Sequence, residues 1–251
     1  MNPGLCCISL STKACSFALS TRDVARHAEL LDCPHVDDRV RLLALRDVAR
    51  ANRYFGGIRV LRRELIETLH YRPAASLTVL DVGTASGELG QWIRRDALCQ
   101  VAVNLYGVDI HPALARAARD SGTAAVCGDA MTLPFRTRSV DIVICSQLLH
   151  HFTDSGAIQL LREFDRVARH RVIVCDLRRS LVAAGGFWLA AHLLRFHPVT
   201  RHDGVASVRR GFTGPELTRL VHAAVGLLPL ARPGLGFRLA VSWTPTTEAR
   251  Q

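Results

Sequence analysis

The pattern of apolar and polar positions changes near residue 76. Before that point, apolar residues recur at helical spacing, as Val60, Leu61 and Leu65 illustrate, and this spacing predicts helices. After it, short continuous apolar runs alternate with helical stretches, which is typical of a parallel sheet covered on both faces. The predicted strands are residues 77–82, 105–108, 124–126, 140–145 and 172–177.

The end of the chain has a different pattern. Thr213 and Glu216 form a capping box, which predicts the start of a helix. Two apolar runs, 227–231 and 237–243, follow with proline and glycine between them, and they predict a hairpin. The last strand should therefore run antiparallel at the edge of the sheet.

These elements predict how the chain is divided. Residues 76–251 are expected to form an α/β domain with a doubly wound, mostly parallel sheet. Residues 21–75 should form a helical N-terminal extension or cap, and residues 1–20 are expected to be disordered. Within the domain, residues 181–212 are a candidate cap over a ligand pocket.

The composition argues against several kinds of chemistry. The 251 residues include 32 Lys and Arg against 22 Asp and Glu, for a net charge of +10, and Lys13 is the only lysine. A P-loop, which needs a Gly-Lys-Ser/Thr sequence, is therefore absent, and Schiff-base chemistry would depend on Lys13. Because no block of five or six like charges occurs, we interpret the arginines as solvated helix faces and expect no nucleic-acid partner.

Cysteine usage and hydropathy bear on the cellular location. The eight cysteines are scattered and form no Cys-x-x-Cys pair, which argues against a zinc ribbon or a redox motif and favours a reducing compartment. The longest apolar stretch, residues 181–194, is too short to span a bilayer. No basic residue precedes Lys13, so a signal peptide is not indicated. We therefore expect a soluble protein of the cytoplasm.

A glycine-rich turn follows the first predicted strand, in the sequence Asp81-Val-Gly83-Thr-Ala-Ser-Gly87. Glycine permits unusual backbone dihedrals, and the following helix offers free N–H groups to a ligand. The dinucleotide pattern Gly-x-Gly-x-x-Gly would need glycine at positions 83, 85 and 88, where the sequence has Gly83, Ala85 and Glu88. The turn is thus a nucleotide-binding corner of another kind.

This stretch resembles motif I of the class I S-adenosylmethionine-dependent methyltransferases, with Ala85 in place of the family's middle glycine. The resemblance covers roughly residues 77–177 and continues in the same order. Asp109 ends the second strand, residues 128–130 follow the third, and residues 141–147 resemble the fourth strand and its end. It implies a Rossmann-like fold with a seven-stranded sheet whose seventh strand is antiparallel.

The resemblance also implies which residues hold S-adenosyl-L-methionine, the methyl donor. Asp109 would accept both ribose hydroxyls, and Asp129 with the next backbone amide would hold the adenine. Carboxylates suit a donor that carries a sulfonium and an ammonium group but no phosphate. The expected donor-binding residues are Asp81, Gly83, Thr84, Ser86, Gly87, Asp109, Ile110, Gly128, Asp129, Ala130, Cys145 and Ser146.

The methyl acceptor is indicated only by class. The chain lacks the Asn/Asp-Pro-Pro-Tyr signature of exocyclic base-amine methyltransferases and the Pro-Cys nucleophile of cytosine C5 enzymes. The whole resembles the UbiE/menaquinone-type and polyketide-tailoring branch, which implies a hydroxyl or carbon of a largely apolar aromatic, quinone-like or polyketide small molecule. Two alternatives stay open: an RNA or protein methyltransferase that uses the arginine-rich flanks, and a non-catalytic donor-binding domain.

Two adjacent histidines, His150 and His151, are the predicted catalytic bases, because imidazole titrates near neutral pH. As neighbours on a helical turn they should point about 100° apart, so that at most one faces the donor. Packing is the alternative role for both. No metal site is expected, because Ser146 and Gln147 stand where an acidic partner of Asp176 would be needed.

Histidine also occurs beside a carboxylate at His202 and Asp203, in a predicted loop. This pair is a second candidate for acid–base chemistry, and a solvated turn is its alternative interpretation.

The apolar segment 181–194 follows the fifth predicted strand and has no polar stripe apart from His192. Such a helix must be buried or lie against something apolar. We expect it to cap the acceptor pocket, with Phe187 and Trp188 as wall residues and Arg178 gripping an acidic group of the acceptor. A core helix is the alternative, and the arginine flanks also indicate a weak contact with a membrane surface.

Overall fold

The computed structural model describes residues 29–32, 35–71, 76–95 and 102–246, so the expectation of disorder over residues 1–20 lies outside the described part of the chain. The centre is a seven-stranded sheet with the order β3-β2-β1-β4-β5-β7-β6. Its strands are β1 Ser76–Val82, β2 Ala102–Asp109, β3 Ala124–Cys127, β4 Val140–Ser146, β5 Ala168–Leu177, β6 Arg232–Gly234 and β7 Arg238–Trp243.

The strand directions confirm the expected Rossmann-like fold. Strands β1 to β5 pair in parallel, whereas β7 pairs antiparallel with both β5 and β6. One detail was predicted wrongly, because the last strand lies inside the sheet and β6 forms the edge. The apolar β7 is buried along nearly its whole length, while β6 contains Pro233, which lacks an N–H and is tolerated at an edge. The first arm of the hairpin is accordingly β6 and not residues 227–231.

Eight helices surround the described part of the sheet. They are α1 Asp38–Tyr54, α2 Gly57–Tyr71, α3 Glu88–Arg95, α4 Pro112–Asp120, α5 Asp154–Val167, α6 Leu181–Leu193, α7 Pro198–Arg210 and α8 Gly214–Val225. None of these helices is long and apolar enough to cross a bilayer.

Helix α7 corrects the prediction of a loop around His202 and Asp203. Proline occupies its first turn, where the missing N–H costs nothing, and the His197 ring accepts a hydrogen bond from the backbone N–H of Val199. Val208 on its inner side packs in a small apolar cluster with α6. A helix start and tertiary packing thus decide the conformation of a segment whose sequence looks polar.

The two faces of the sheet have separate apolar cores. Residues of α5 and α8 cover one face, where Leu160, Phe164 and Leu217 are fully buried. Val60 and Leu61 of α2 cover the other face together with apolar residues of β1, β4 and β5. Burial of each such side chain contributes about 1.5–3 kcal/mol, so α2 is a structural layer of the domain.

A cap of helices lies over the carboxyl edge of the sheet. It consists of α1, α6, α7 and the short 3-10 turn Leu30–Asp32. Asp203 of α7 accepts hydrogen bonds from the backbone N–H groups of Leu30 and Leu31, at 2.8 and 3.0 Å. Asp47 of α1 accepts one from the N–H of His197 at 2.7 Å. These long-range bonds join the cap elements to one another.

Candidate active site

A cavity of about 520 Å³ lies between the carboxyl edge of the sheet and the cap. The loops after β1, β2, β3 and β4 form its floor, and α1, α6 and α7 form its walls. Ligands of open α/β sheets bind at this edge, and the volume is in the range of small-molecule sites.

The turn after β1 has the backbone shape of a ligand cradle. Gly83 and Gly87 have φ values of 75° and 78°, which L side chains rarely adopt. A Cβ atom on Gly83 would lie 3.1 Å from Leu148 Cδ2. Ala85, which replaces the family's middle glycine, also adopts a left-handed conformation with φ 48°. Alanine therefore keeps the turn that glycine would make, at some cost in strain.

Two buried carboxylates lie under and beside this turn. Asp109 accepts hydrogen bonds from the backbone N–H groups of Ala85, at 2.9 Å, and His111, at 3.0 Å, yet burial still raises its pKa. Burial, with a further contribution from the charge of Asp109, raises the pKa of Asp81 to about 7. A cation bound here would stabilise both carboxylates in their charged form. The donor set therefore fits S-adenosylmethionine, which is cationic.

The expected donor-binding residues divide into two groups. Six of them line the cavity: Gly83, Asp109, Ile110, Gly128, Asp129 and Ala130. The other six are not among the residues that line it: Asp81, Thr84, Ser86, Gly87, Cys145 and Ser146.

The position of the second group has a simple packing reason. Thr84 is 3% exposed and packs against Gly107, where an added Cβ would lie 2.7 Å from Thr84 Cγ2. Cys145 is fully buried in the core on β4. These two side chains pack beneath the cradle, and their contact with the donor stays a prediction.

The adjacent histidines form a stacked pair, which corrects the expectation that their rings diverge. They lie on a 3-10 turn, Leu149–His151, after β4, and both line the cavity. Their ring centroids are 4.3 Å apart and the rings are inclined by 33°. Both rings face the same carboxylate, since His150 Nε2 lies 3.5 Å from Glu29 Oε1 and His151 Nε2 lies 3.9 Å from Glu29 Oε2, and this shared partner brings the two rings together.

His150 is enclosed by two acids. Its Nδ1 lies 2.7 Å from Asp176 Oδ1, and its Nε2 lies 3.5 Å from Glu29 Oε1. Burial alone would lower the pKa of His150, but the two carboxylates raise it to about 9. In return, the imidazolium lowers the pKa of Glu29 to about 2 against the effect of burial. At neutral pH, His150 is therefore a buried cation.

Glu29, His150 and His151 form a group that could hold a metal ion, since their ligand atoms lie within 4.8 Å of one another. However, Glu29 Oε1 also accepts a hydrogen bond from Ser207 Oγ at 2.7 Å and pairs with Arg210 Nη1 at 3.1 Å. A guanidinium on the same oxygen opposes a second cation there. The sequence-based expectation of no metal considered only Asp176 and the end of β4, and it stays a prediction.

The expected acceptor residues are placed differently from one another. Phe187 lines the cavity from α6, and its ring is tilted against those of Phe55 and Phe196 with centroids 6.3 Å away in both cases. Trp188 is one residue further round the helix, 54% exposed, and outside the cavity wall. Arg178 lies over the ring of Phe237 at 5.5 Å and also lies outside the wall. Contact of Trp188 and Arg178 with the acceptor stays a prediction that these two placements do not support.

Several cavity residues were not found from the sequence. They are Glu29, Arg41, Ser207 and Arg238. Their partners are far away along the chain, as in the pair Ser207–Glu29 and the pair Arg238–Asn52. Gln147 had a signal, because it directly follows the end of β4, where ligand-contacting residues of open sheets occur. Its positive φ of 54° marks the same position in the structure.

Comparison with known proteins agrees with this site. Residues 80–175 match the family described as methyltransferase domain. The probable methyltransferase PMT19 of Arabidopsis thaliana is 29% identical over 116 residues, which are 45% of this chain. The match spans only 18% of that relative's length.

Solved structures share the fold at low sequence identity. Magnesium protoporphyrin IX methyltransferase of Synechocystis PCC 6803, with bound SAH, is 15% identical with a TM-score of 0.51, over 76% of this chain and 84% of that one. The plantazolicin methyltransferase BamL is 16% identical with a TM-score of 0.52, over 70% and 65%. The CurJ carbon methyltransferase is 9% identical with a TM-score of 0.55, over 75% and 54%.

The fold, the site and these matches define the class. Residues 80–175 match the methyltransferase domain family, and the fold around them is shared with solved methyltransferases, one of which holds bound SAH. The histidine pair and the helical cap lie at the edge of this domain, over the carboxyl ends of its strands.

Proposed function

We propose that the protein transfers the methyl group of S-adenosylmethionine to a hydroxyl oxygen or a carbon of a largely apolar small molecule. The observation that carries this proposal is the cavity, which joins the carboxylates of Asp109 and Asp129, after β2 and β3, to an apolar wall of Phe55, Phe187 and Phe237. An aromatic, quinone-like or polyketide body would bury well against such a wall. The resemblance to the UbiE/menaquinone-type branch supports the same acceptor class.

The residues around the cradle have distinct roles in this proposal. Asp109 and Asp129 bind the hydroxyl and amino groups of the donor, and Gly83 lets it approach the backbone. When bound, the donor supplies a methyl group on a sulfonium, which is open to direct displacement. The protein holds the acceptor atom in line with that methyl group, and the cap excludes water from it.

We assign the removal of the acceptor proton to Nε2 of His151. A base must be neutral before it accepts a proton, and His150 is held as a cation between Asp176 and Glu29. The side chain of His151 is 27% exposed and lines the cavity, and the ring of His150 stacks on it. His150 is thus a positioning residue, which fixes the orientation of His151 and Glu29.

The test uses the purified full chain with a panel of hydroxylated aromatic and quinone-type acceptors. Turnover is read as formation of S-adenosylhomocysteine. His151→Gln should lower kcat by roughly 100-fold or more with donor affinity unchanged, because only proton transfer is lost. A native rate that keeps rising until about pH 9 would instead assign the base to His150. Donor binding without turnover on the whole panel would favour a non-catalytic domain.

A chelator separates acid–base chemistry from a metal centre at the same cluster. EDTA should leave turnover unchanged, since Arg210 already neutralises Glu29. Inactivation by EDTA that a divalent metal reverses would show that Glu29, His150 and His151 hold a metal ion.

We also propose that α6 rests on a membrane surface from which an apolar acceptor enters, in a protein otherwise of the cytoplasm. The outer face of α6 exposes Val182, Trp188, Leu189 and Leu193, and Arg195 follows it. An apolar face flanked by arginine suits an anionic lipid surface. Sedimentation with phosphatidylserine vesicles should retain the native protein and lose Leu193→Asp, while both bind the donor equally.

A further inference from the structure

One buried guanidinium in the cavity is not explained by the roles above. Arg238 begins β7 and lines the cavity, and it is 5% exposed. It pairs in register with Leu177 at the carboxyl end of β5. Arg238 therefore lies at the same edge of the sheet as Asp176 and the histidine pair.

Arg238 has more hydrogen-bond donors than partners. Its Nη2 donates to Asn52 Oδ1 at 2.8 Å. Its Nε and Nη1 have no hydrogen-bond partner, and no carboxylate pairs with it among the residues that the structure describes. The charge of Asp176 acts on Arg238, but its oxygens already bond to the ring and N–H of His150 and to the N–H of Leu177.

This arrangement is unusual, because buried arginines are almost always paired with an anion or fully hydrogen-bonded. Packing alone does not explain it, since an apolar side chain would fill the same space without the cost of burying a charge. An arginine kept there with free donors indicates a ligand that supplies the missing acceptor oxygens.

The guanidinium is also held in place. Asn52 Oδ1 accepts a second hydrogen bond, from Gln147 Nε2 at 2.7 Å, so one amide joins α1, the end of β4 and β7. Gly57 leaves room for this contact, since an added Cβ would lie 3.0 Å from Asn52 Oδ1 and 3.5 Å from Arg238 Nε. A fixed fork of donors is the geometry that binds a carboxylate or a phenolate well.

We propose that Arg238 binds an oxyanion of the methyl acceptor, so that the substrate is an apolar molecule with one carboxylate, phenolate or enolate group. This inference rests on the proposed function. The sheet order favours the acceptor over the donor's own carboxylate, because β5 and β4 lie between β7 and the strands that carry Asp81 and Asp109. The aromatic wall of Phe55, Phe187 and Phe237 would cover the apolar body.

Paired probes test this proposal by calorimetry on the full chain loaded with S-adenosylhomocysteine. Naphthoate and the matched naphthylmethanol share one apolar body, and only the first carries an oxyanion. The native protein should bind naphthoate at least about tenfold more tightly, as a charge-assisted hydrogen bond would give. Arg238→Gln should remove this preference and leave the affinities for naphthylmethanol and S-adenosylhomocysteine unchanged. Arg178→Gln is the matched control and should keep the preference.

Each other result overturns the proposal. Equal affinities of the native protein for the two probes would show that no oxyanion is recognised. The proposed function would still stand in that case if the protein binds S-adenosylhomocysteine and shows turnover. If Arg238→Gln weakens the binding of S-adenosylhomocysteine and not that of naphthoate, the arginine binds the carboxylate of the donor. Should Arg238→Gln unfold, Arg238→Met replaces it; a binding role predicts an unchanged or higher melting temperature in that variant, and a structural role predicts a lower one.

Discussion

The two halves of the cavity hold their polar groups in different ways. In the donor half, Asp109 is fixed by the N–H of His111 and Asp129 by the N–H of Met131, each two residues away. In the acceptor half, Ser207 bonds to Glu29 and Arg238 to Asn52, across 178 and 186 positions of the chain. The donor half thus depends mainly on turns at the ends of adjacent strands, where Ala85 N–H is a second donor to Asp109, whereas the acceptor half exists only in the folded cap.

The two halves also differ in how their charged groups are paired. Burial raises the pKa of Asp81 and Glu88 to about 7 in the donor half, where no cation is paired closely with Asp81 among the described residues. In the acceptor half, His150 and Glu29 shift each other's pKa in favour of the charged forms. The donor half is therefore prepared for a cationic ligand, whereas most charges of the acceptor half neutralise one another.

The largest effect should come from Gly83→Val, which attacks the donor half alone. Valine would have to adopt a φ of 75° with its Cβ 3.1 Å from Leu148, and a branched side chain is strongly disfavoured there. We expect affinity for S-adenosylhomocysteine to fall by more than roughly 1,000-fold, beyond calorimetric detection. Circular dichroism should show the fold retained, and native-like donor binding would contradict the cradle.

Asp109→Ala should have the next largest effect on the donor. It removes the carboxylate proposed to accept two ribose hydroxyls, each hydrogen bond contributing about 1.5–3 kcal/mol. Calorimetry should show a loss of at least roughly 100-fold for S-adenosylhomocysteine. Asp109→Asn, which keeps one acceptor oxygen for the turn, is the matched control and should lose less. Wild-type affinity in Asp109→Ala would refute the ribose assignment.

The contrast between local and long-range contacts explains what the sequence could predict. The strands β1, β4 and β5 are continuous apolar runs, so their positions were predicted to within a few residues. Gly83, Asp109 and Asp129 directly follow strands or form turns, and parallel strands bring such residues to one edge. Local patterns therefore suffice for the donor half and for most of the sheet.

The acceptor half could not be predicted in this way. Nothing near Arg238 in the sequence indicates Asn52 as its partner, and Asp203 looks like a solvated residue until Leu30 and Leu31 donate to it. Trp188 and Phe187 are equally apolar neighbours, and only the packing of α6 against α7 decides which ring faces the cavity. Tertiary contacts overrule the local pattern in all these cases.

A smaller effect, on stability, should follow from the uncompensated charge of the donor half. Burial raises the pKa of Asp81 from its ordinary value of 3.8 to about 7 in the folded protein, so the folded state binds the proton more tightly. Stability should therefore fall as the pH rises between about 4 and 7. Asp81→Asn should raise the melting temperature of the ligand-free protein at pH 8 by at least about 5 °C, because it removes a few kcal/mol of destabilising charge and 1 kcal/mol corresponds to roughly 2–4 °C.

Two observations complete the Asp81→Asn test. At pH 4 the variant and the native protein should melt alike, because both then carry a neutral side chain. The variant should also bind S-adenosylhomocysteine more weakly at pH 8, since the ammonium group of the ligand loses an ionised partner. A variant less stable than the native protein at pH 8 would show that the Asp81 carboxylate is stabilised by a cation.

The smallest effect on the cavity should come from Trp188→Ala, and it separates the inner and outer faces of α6. Trp188 is 54% exposed, so its removal should lower the free energy of unfolding by about 0.5 kcal/mol at most. The affinities for naphthylmethanol and S-adenosylhomocysteine should stay the same. Phe187→Ala on the same helix turn is the contrast, because its ring packs between Phe55 and Phe196. Phe187→Ala should lower the free energy of unfolding by roughly 3–5 kcal/mol. It should also weaken the binding of naphthylmethanol more than the binding of S-adenosylhomocysteine. Trp188→Ala should instead reduce binding to phosphatidylserine vesicles; weaker naphthylmethanol binding in Trp188→Ala would place the indole at the acceptor.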